Sequence, residues 1–223
     1  MSRCKTQRQS RQIVGLIVDG EDEGWYINTL KHHLKSDKLK RLDLKPKLPS
    51  KKKIEELFRL VEKMIKDEGY DKMFLIIDLD APLKEKKEGN EKEFESFKTW
   101  YRRYMDTHEQ NPYKGKYKWM QQVTIIINNP CLEYWYLMHF KHTNKFFPNY
   151  DELLSDLKRC LPDYDKSKEY YLAKPADIFV KLGKENGLNK AITNAGLLGN
   201  FSVDNCTSTG MTEMDKLISY FNN

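Results

Sequence analysis

A chain of 223 residues that is 39% hydrophobic and 32% charged, with 13 Tyr, 10 Phe and 4 Trp, has enough apolar bulk to offset the entropy of ordering it, which excludes wholesale disorder. The length suits one α/β domain with an appendage, or two small domains, with no need of disulfide or metal staples. The formal net charge is +6, and the longest apolar stretches, such as Met73 to Ile77, fall far short of the ~18–20 residues of a membrane span.

The charge is unevenly placed. Residues 1–150 hold 30 Lys and Arg against 22 Asp and Glu, whereas residues 151–223 hold 9 against 11. Residues 1–12 form a basic, polar arm with no secretory signal pattern, so a cytoplasmic location is expected. Cys4, Cys131, Cys160 and Cys206 lack the spacing of a zinc knuckle or a disulfide framework and read as scattered reduced thiols.

In chain order, Ile13 to Val18 is a short apolar run of the kind buried on both faces of a sheet, closed by Asp19 and the turn residue Gly20. Tyr26, Ile27, Leu30 and Leu34 recur at helical spacing, which predicts a helix starting near Asp22 or Glu23 with acids in its first turn. Residues 39–48 alternate weakly and read as an edge strand ended by Pro46 and Pro49. Ile54, Leu57, Phe58, Val61, Met64 and Ile65 make an amphipathic helix stopped by Gly69.

Met73 to Ile77 then reads as a central strand running into Asp78-Leu79-Asp80-Ala81-Pro82. Lys84 to Glu95 is expected to be a solvated loop entering a helix that carries Phe94, Phe97, Tyr101 and Tyr104, and Val123 to Ile127 is a further apolar strand stopped by Asn128-Asn129-Pro130. Cys131 to Phe140 looks helical, with Trp135 and Phe140 as core members. Beyond Tyr150 the pattern is helical over 153–161, 175–187, 190–198 and 212–221, with no strand signal. Strands alternating with helices imply a parallel α/β sheet over 13–150, with residues 151–223 as an α-helical extension packed on it.

Ligands of such sheets sit at the carboxyl ends of the strands. Asp19, Glu21, Asp22 and Glu23 follow the first strand, Asp78 and Asp80 the central one, and Asn129 and Glu133 the last. On an extended chain, residues two apart project from one side about 6–7 Å from each other. Asp78 and Asp80 would then share or flank a hard cation, and with no His or Cys nearby in sequence Mg²⁺ or Mn²⁺ fits. Two basic clusters accompany these acids. Ten Lys and Arg lie between Lys31 and Lys53, and Lys98, Arg102, Arg103, Lys114, Lys116 and Lys118 interleave with Trp100, Tyr101, Tyr104, Tyr113, Tyr117 and Trp119. Such a mixture serves phosphate neutralisation and base stacking, or equally a solvated lysine face with the rings turned into the core. His139 and His142 have no nucleophile arranged with them and read as structural, and neither a dinucleotide nor a Walker motif is present.

The acidic run at 18–23, the strand Leu75-Ile76-Ile77-Asp78-Leu79-Asp80, the stretch Asn129-Pro130-Cys131-Leu132-Glu133-Tyr134-Trp135-Tyr136-Leu137-Met138-His139-Phe140 and Tyr164-Asp165-Lys166 together resemble the RloB-like family over nearly the whole chain. That resemblance implies a Toprim-like fold, as in topoisomerases, primases and OLD-type nucleases, where a Glu after the first strand and a DxD after a later one bind Mg²⁺. It makes Asp19, Asp78 and Asp80 the metal ligands, with Glu23 as the second acidic position and Glu133 as the family's own extra acid. Asp19 stands where the family has Glu, and its reach is shorter by about 1.5 Å, so either the metal geometry adapts or Glu21 substitutes. Lys166 would neutralise developing charge. The implied activity is that of a Mg²⁺- or Mn²⁺-dependent nuclease of an anti-phage system, cutting DNA or RNA with an ABC-type ATPase partner. The alternative is a non-catalytic Toprim-like subunit that binds nucleic acid or the ATPase. The sequence leaves oligomeric state open, a homo-oligomer included.

Overall fold

The computed structural model describes residues 12–18, 20–45 and 52–222. Asp19, most of the basic arm and residues 46–51, which include two lysines of the first basic cluster and the end of the expected 39–48 strand, lie outside the described residues.

The elements are β1 (Val14–Ile17), α1 (Glu21–His33), α2 (Asp37–Lys40), β2 (Asp43–Lys45), α3 (Ile54–Lys66), β3 (Lys72–Asp78), α4 (Asp80–Lys87), α5 (Lys92–Glu109), β4 (Val123–Asn129), α6 (Glu133–Met138), α7 (Tyr150–Leu157), α8 (Lys168–Leu172), α9 (Ile178–Lys181), α10 (Lys184–Gly196), β5 (Met211–Thr212) and α11 (Met214–Asn222). The sheet runs β2-β1-β3-β4-β5. The first four strands are parallel, in the register Leu16↔Phe74 and Leu75↔Ile125, and β5 is antiparallel to β4.

Side-chain alternation along the strands divides the core into two layers. Leu16, Val18, Phe74, Ile76 and Ile126 face one side, where they meet α1, α6 and the helices after Tyr150 through Tyr26, Trp135, Leu153, Tyr171, Ile178 and Leu217. Ile17, Met73, Leu75, Ile77, Ile125 and Ile127 face the other, against Phe58 and Val61 of α3 and Phe97 and Trp100 of α5. Both faces are covered, which explains why β1, β3 and β4 read as continuous apolar runs.

Four expectations are corrected. The segment after β3 is a helix, α4, because Asp80 opens a first turn in which Leu83 N reaches Leu79 O at 3.0 Å. The C-terminal region is not wholly helical: Met211 and Thr212 pair with Asn129 and Asn128, two residues being too short a strand to leave a period in the sequence. The helix expected over 175–187 is split into α9 and α10 at Gly183, which adopts φ 87°. The edge strand expected from residue 39 begins only at Asp43, because Ser36 caps the one-turn helix α2 before it, and among the described residues it covers Asp43–Lys45.

Candidate functional site

The chain leaves β1 for α1 on one face of the sheet and leaves β2 for α3 on the other, so strand order reverses between β1 and β3. A crevice opens outside the carboxyl ends of two such strands, and it is where ligands of open α/β sheets bind. The first turn of α1 brings Asp22 and Glu23 there, the end of β3 brings Asp78, and the first residue of α6 brings Glu133. Asp22, Glu23 and Glu133 are buried, and Glu133 is fully so.

Asp78 is held on both oxygens. Its Oδ1 accepts from Asn128 Nδ2 at 2.9 Å and its Oδ2 from the Leu132 backbone N–H at 3.1 Å. The chain beside it is pinned to the Asn128-to-Pro130 segment, with Leu79 N and Asp80 N donating to Pro130 O at 2.8 and 2.9 Å. Leu79 has helical φ and ψ, so Asp78 and Asp80 do not project from one side of an extended strand as expected. Asp78 ends the strand and Asp80 begins α4, where its Oδ1 accepts from the Ala81 N–H at 2.6 Å.

Lys166 joins the cluster from the loop after α7. Its Nζ lies 2.9 Å from Asp22 Oδ2 and 3.2 Å from Glu133 Oε1. Burial disfavours its charge, but Glu133 and Asp22 outweigh burial and hold the ammonium above the ordinary lysine range. Glu133 Oε1 also accepts from Tyr164 Oη at 2.7 Å, and the Tyr164 hydroxyl meets that of Tyr171 at 2.8 Å. Tyr164 and Lys166, two residues apart, therefore grip one carboxylate.

Among the described residues, the buried carboxylate oxygens Glu23 Oε2 and Glu133 Oε2 have no hydrogen-bond partner, while Asp22 Oδ2 is met by the Lys166 ammonium. Burial, then the charges of Asp78 and Asp22, push the Glu23 carboxyl well above its usual range. Burial, then Asp80, push Asp78 up too, against the Asn128 hydrogen bond. Gly20 makes room for these groups: a Cβ there would sit 2.5 Å from Glu23 Oε2 and 2.8 Å from Asp22 Oδ1. Among the described residues, no three His, Cys, Asp or Glu side chains already stand as a metal-holding group. The donor chemistry nonetheless fits a hard divalent cation: all-oxygen ligands, two orphaned buried oxygens and mutual repulsion that positive charge would relieve.

The structure thus brings Glu23, Asp78, Glu133 and Lys166 to one crevice, with Asp80 at its edge, while Asp19 lies outside the described residues. Asn128, Thr212 and Tyr171 escaped the sequence reading, since Asn128 served there only as a strand stop. The Asn-Asn-Pro-Cys run was the one available signal for it. Trp100, Tyr101 and Trp119 are buried, so in that basic cluster these three rings turn into the core, although Arg103 lies 4.7 Å over Trp100 and 5.0 Å over Tyr117. His139 is buried with Nδ1 3.0 Å from Trp135 O, and burial pushes its imidazole down to about 4, as suits a structural, neutral ring. Among the described residues, no helix is long and apolar enough to cross a membrane.

Compared with known proteins, the chain matches no curated protein and no solved structure. The RloB-like protein family does match, over residues 15–221 and so across every strand and helix that builds the crevice, and the chain belongs to that family.

Proposed function

We propose that the chain is a Mg²⁺- or Mn²⁺-dependent nuclease of Toprim-like type, acting in anti-phage defence with an ABC-type ATPase. The observation that carries the chemistry is the gathering of Asp22, Glu23, Asp78 and Glu133 at the strand-order reversal, with Glu23 and Asp78 hard to ionise unless positive charge is added. The family resemblance supports the defence setting and the ATPase.

Asp78 and Asp80, with Asp19, would hold the cation, and when bound it supplies Lewis-acid polarisation of a phosphoryl oxygen and acidifies water. Asp19, with Glu23, would orient or deprotonate the attacking water; as the phosphorus–oxygen ester bond breaks, the leaving oxygen, whose charge the cation would stabilise when bound, takes a proton from solvent. A carboxyl raised above its usual range, as Glu23 is, has the proton affinity that acid–base catalysis near neutral pH needs. Lys166 keeps its positive charge at the edge of the cluster, where it faces charge developing on the phosphoryl oxygens.

A second reading, a non-catalytic subunit that binds nucleic acid or the ATPase, is favoured by one observation: Lys166 already balances part of the acidic charge from within the chain. The purified protein with its ATPase, given labelled DNA and RNA in Mg²⁺ or Mn²⁺, separates the two. The nuclease reading expects cleavage that Asp78→Asn with Asp80→Asn abolishes while binding persists. No cleavage by the wild type, or cleavage by the double variant, would sink it.

A further inference from the structure

Two recesses flank the start of α4. One, of about 390 Å³, is bounded by Asp78, Ala81 and Pro82 with Lys53 and Lys92 on its rim. The other, of about 610 Å³, is bounded by Asp80 and Ala81, with Lys84, Lys87 and the ring of Tyr150. Ala81 belongs to both, so the turn carrying Asp78 and Asp80 is a ridge between them. Both volumes fall in the ~300–1,000 Å³ range of pockets that enclose a ligand of nucleotide size.

The recesses also differ in a useful way. Tyr150 stands at the head of α7, and Lys166 Nζ lies 5.0 Å from its ring centroid, which ties the larger recess to the cluster of Asp22 and Glu133. Lys84 and Lys87 are exposed on α4, whereas Lys86, between them in sequence, is turned onto the Phe94 ring at 4.4 Å. One recess therefore offers an aromatic ring with Lys84 and Lys87 beside it, and the other offers Lys53 and Lys92 with no aromatic ring among the described residues; acids also line both, Glu88 and Asp151 in the first and Glu85 and Glu93 in the second. A phosphodiester lying on the ridge would have its two flanking nucleosides over the two recesses.

We infer that the substrate segment is single-stranded nucleic acid, laid across the ridge of Asp78 and Asp80 with one nucleotide in each recess and a base stacked on Tyr150. The inference rests on the nucleic-acid reading of the site above. A duplex keeps its bases stacked inside and presents only backbone and groove edges, so it fills neither recess unless a nucleotide is unpaired or flipped out. Single strands supply free bases to an aromatic ring and a flexible backbone to lysines, in DNA and RNA alike.

The test is fluorescence anisotropy on the full chain in EDTA, where no cleavage intervenes. The probes are labelled single strands of DNA and RNA about 12 nucleotides long, within the 4–16-nucleotide sites of single-strand grooves, and the matching duplexes. Single strands are expected to bind more tightly than duplexes. Tyr150→Ala should weaken single-strand binding roughly 5- to 100-fold, the effect of losing one base–aromatic stack, and Tyr150→Phe should restore it. Lys84→Ala with Lys87→Ala, both on exposed side chains, should weaken it too and flatten its salt dependence. Duplex binding as tight as or tighter than single-strand binding, no binding at all, or indifference to Tyr150→Ala and to the lysine pair would each overturn the inference. The nuclease reading fails separately: single strands that bind but are never cut in Mn²⁺ leave the inference standing, and cutting of duplex alone does the reverse.

Discussion

Thr212 donates its hydroxyl to Asn128 Oδ1 over 2.7 Å. That bond decides which end of the Asn128 amide faces Asp78, since with Oδ1 taken the Nδ2 group is left to donate to Asp78 at 2.9 Å. A residue of the C-terminal region, carried by β5, thus sets the orientation of a candidate metal ligand on β3. Thr212→Val keeps the shape but orphans Asn128 Oδ1 and the Met214 N–H that now reaches Thr212 Oγ1 at 3.3 Å. Urea denaturation should show a loss of about 1–3 kcal/mol, the cost of leaving buried polar groups unpaired, and Thr212→Ser should recover most of it.

The acid cluster sets the sign of a pH dependence. Glu23 and Asp78 are raised by burial and by neighbouring carboxylates, so between their unfolded and folded values the folded chain binds more protons than the unfolded one. Stability of the metal-free protein therefore falls as pH rises through that window. Glu23→Gln removes a group whose ionised form burial and the neighbouring carboxylates disfavour in the folded chain, and should raise the melting temperature at neutral pH, by roughly 2–4 °C for each kcal/mol gained in a chain of this size. Thermal scans across pH, with and without EDTA, check both statements.

Glu213 shows a carboxylate with a purely architectural task. It is buried, accepts from the backbone N–H groups of Ile127 and Phe201 at 3.2 Å each, and pairs with Lys216 at 2.6 Å. Glu213→Ala leaves two buried donors unmatched and should cost at least about 1–3 kcal/mol. Lys216→Ala should cost no more than about 1 kcal/mol, because that lysine is partly in water. Chemical denaturation of the two variants gives the comparison.

How much of this was legible beforehand follows from where the information sits. Continuous apolar runs at 13–18, 73–77 and 123–127 announced strands buried on two faces, and the acids at their ends announced the crevice. Short elements were not legible: β5 is specified by the Glu213 clamp and by pairing to Asn128 and Asn129, more than 80 residues back in the chain. The helical start at Asp80 was hidden because Leu79 and Pro82 read as the end of a strand, although a proline in the first turn costs a helix no hydrogen bond. The grip of Tyr164 and Lys166 on Glu133 spans some 31 residues and needs the folded chain to exist.

Gly20 offers a substitution aimed at the site and not at the fold. Its φ of −112° suits any residue, so Gly20→Ala costs no backbone strain. The added Cβ would displace the ends of Glu23 and Asp22, which are side-chain and not backbone atoms. The variant should keep its melting temperature within a few degrees and weaken binding of the cation held by Asp78 and Asp80, because the neighbouring carboxylate charge of Asp22 and Glu23 is displaced, measured by calorimetric titration with Mn²⁺. Unchanged Mn²⁺ binding would place those two carboxylates outside the cation's reach.

Anomalous diffraction from crystals soaked in Mn²⁺ tests the central claim most directly. The account predicts one strong peak in contact with the Asp78 carboxylate at the ends of β1 and β3, absent from Asp78→Asn crystals soaked alike. A crevice with no peak, in which Lys166 alone balances Asp22 and Glu133, would contradict it.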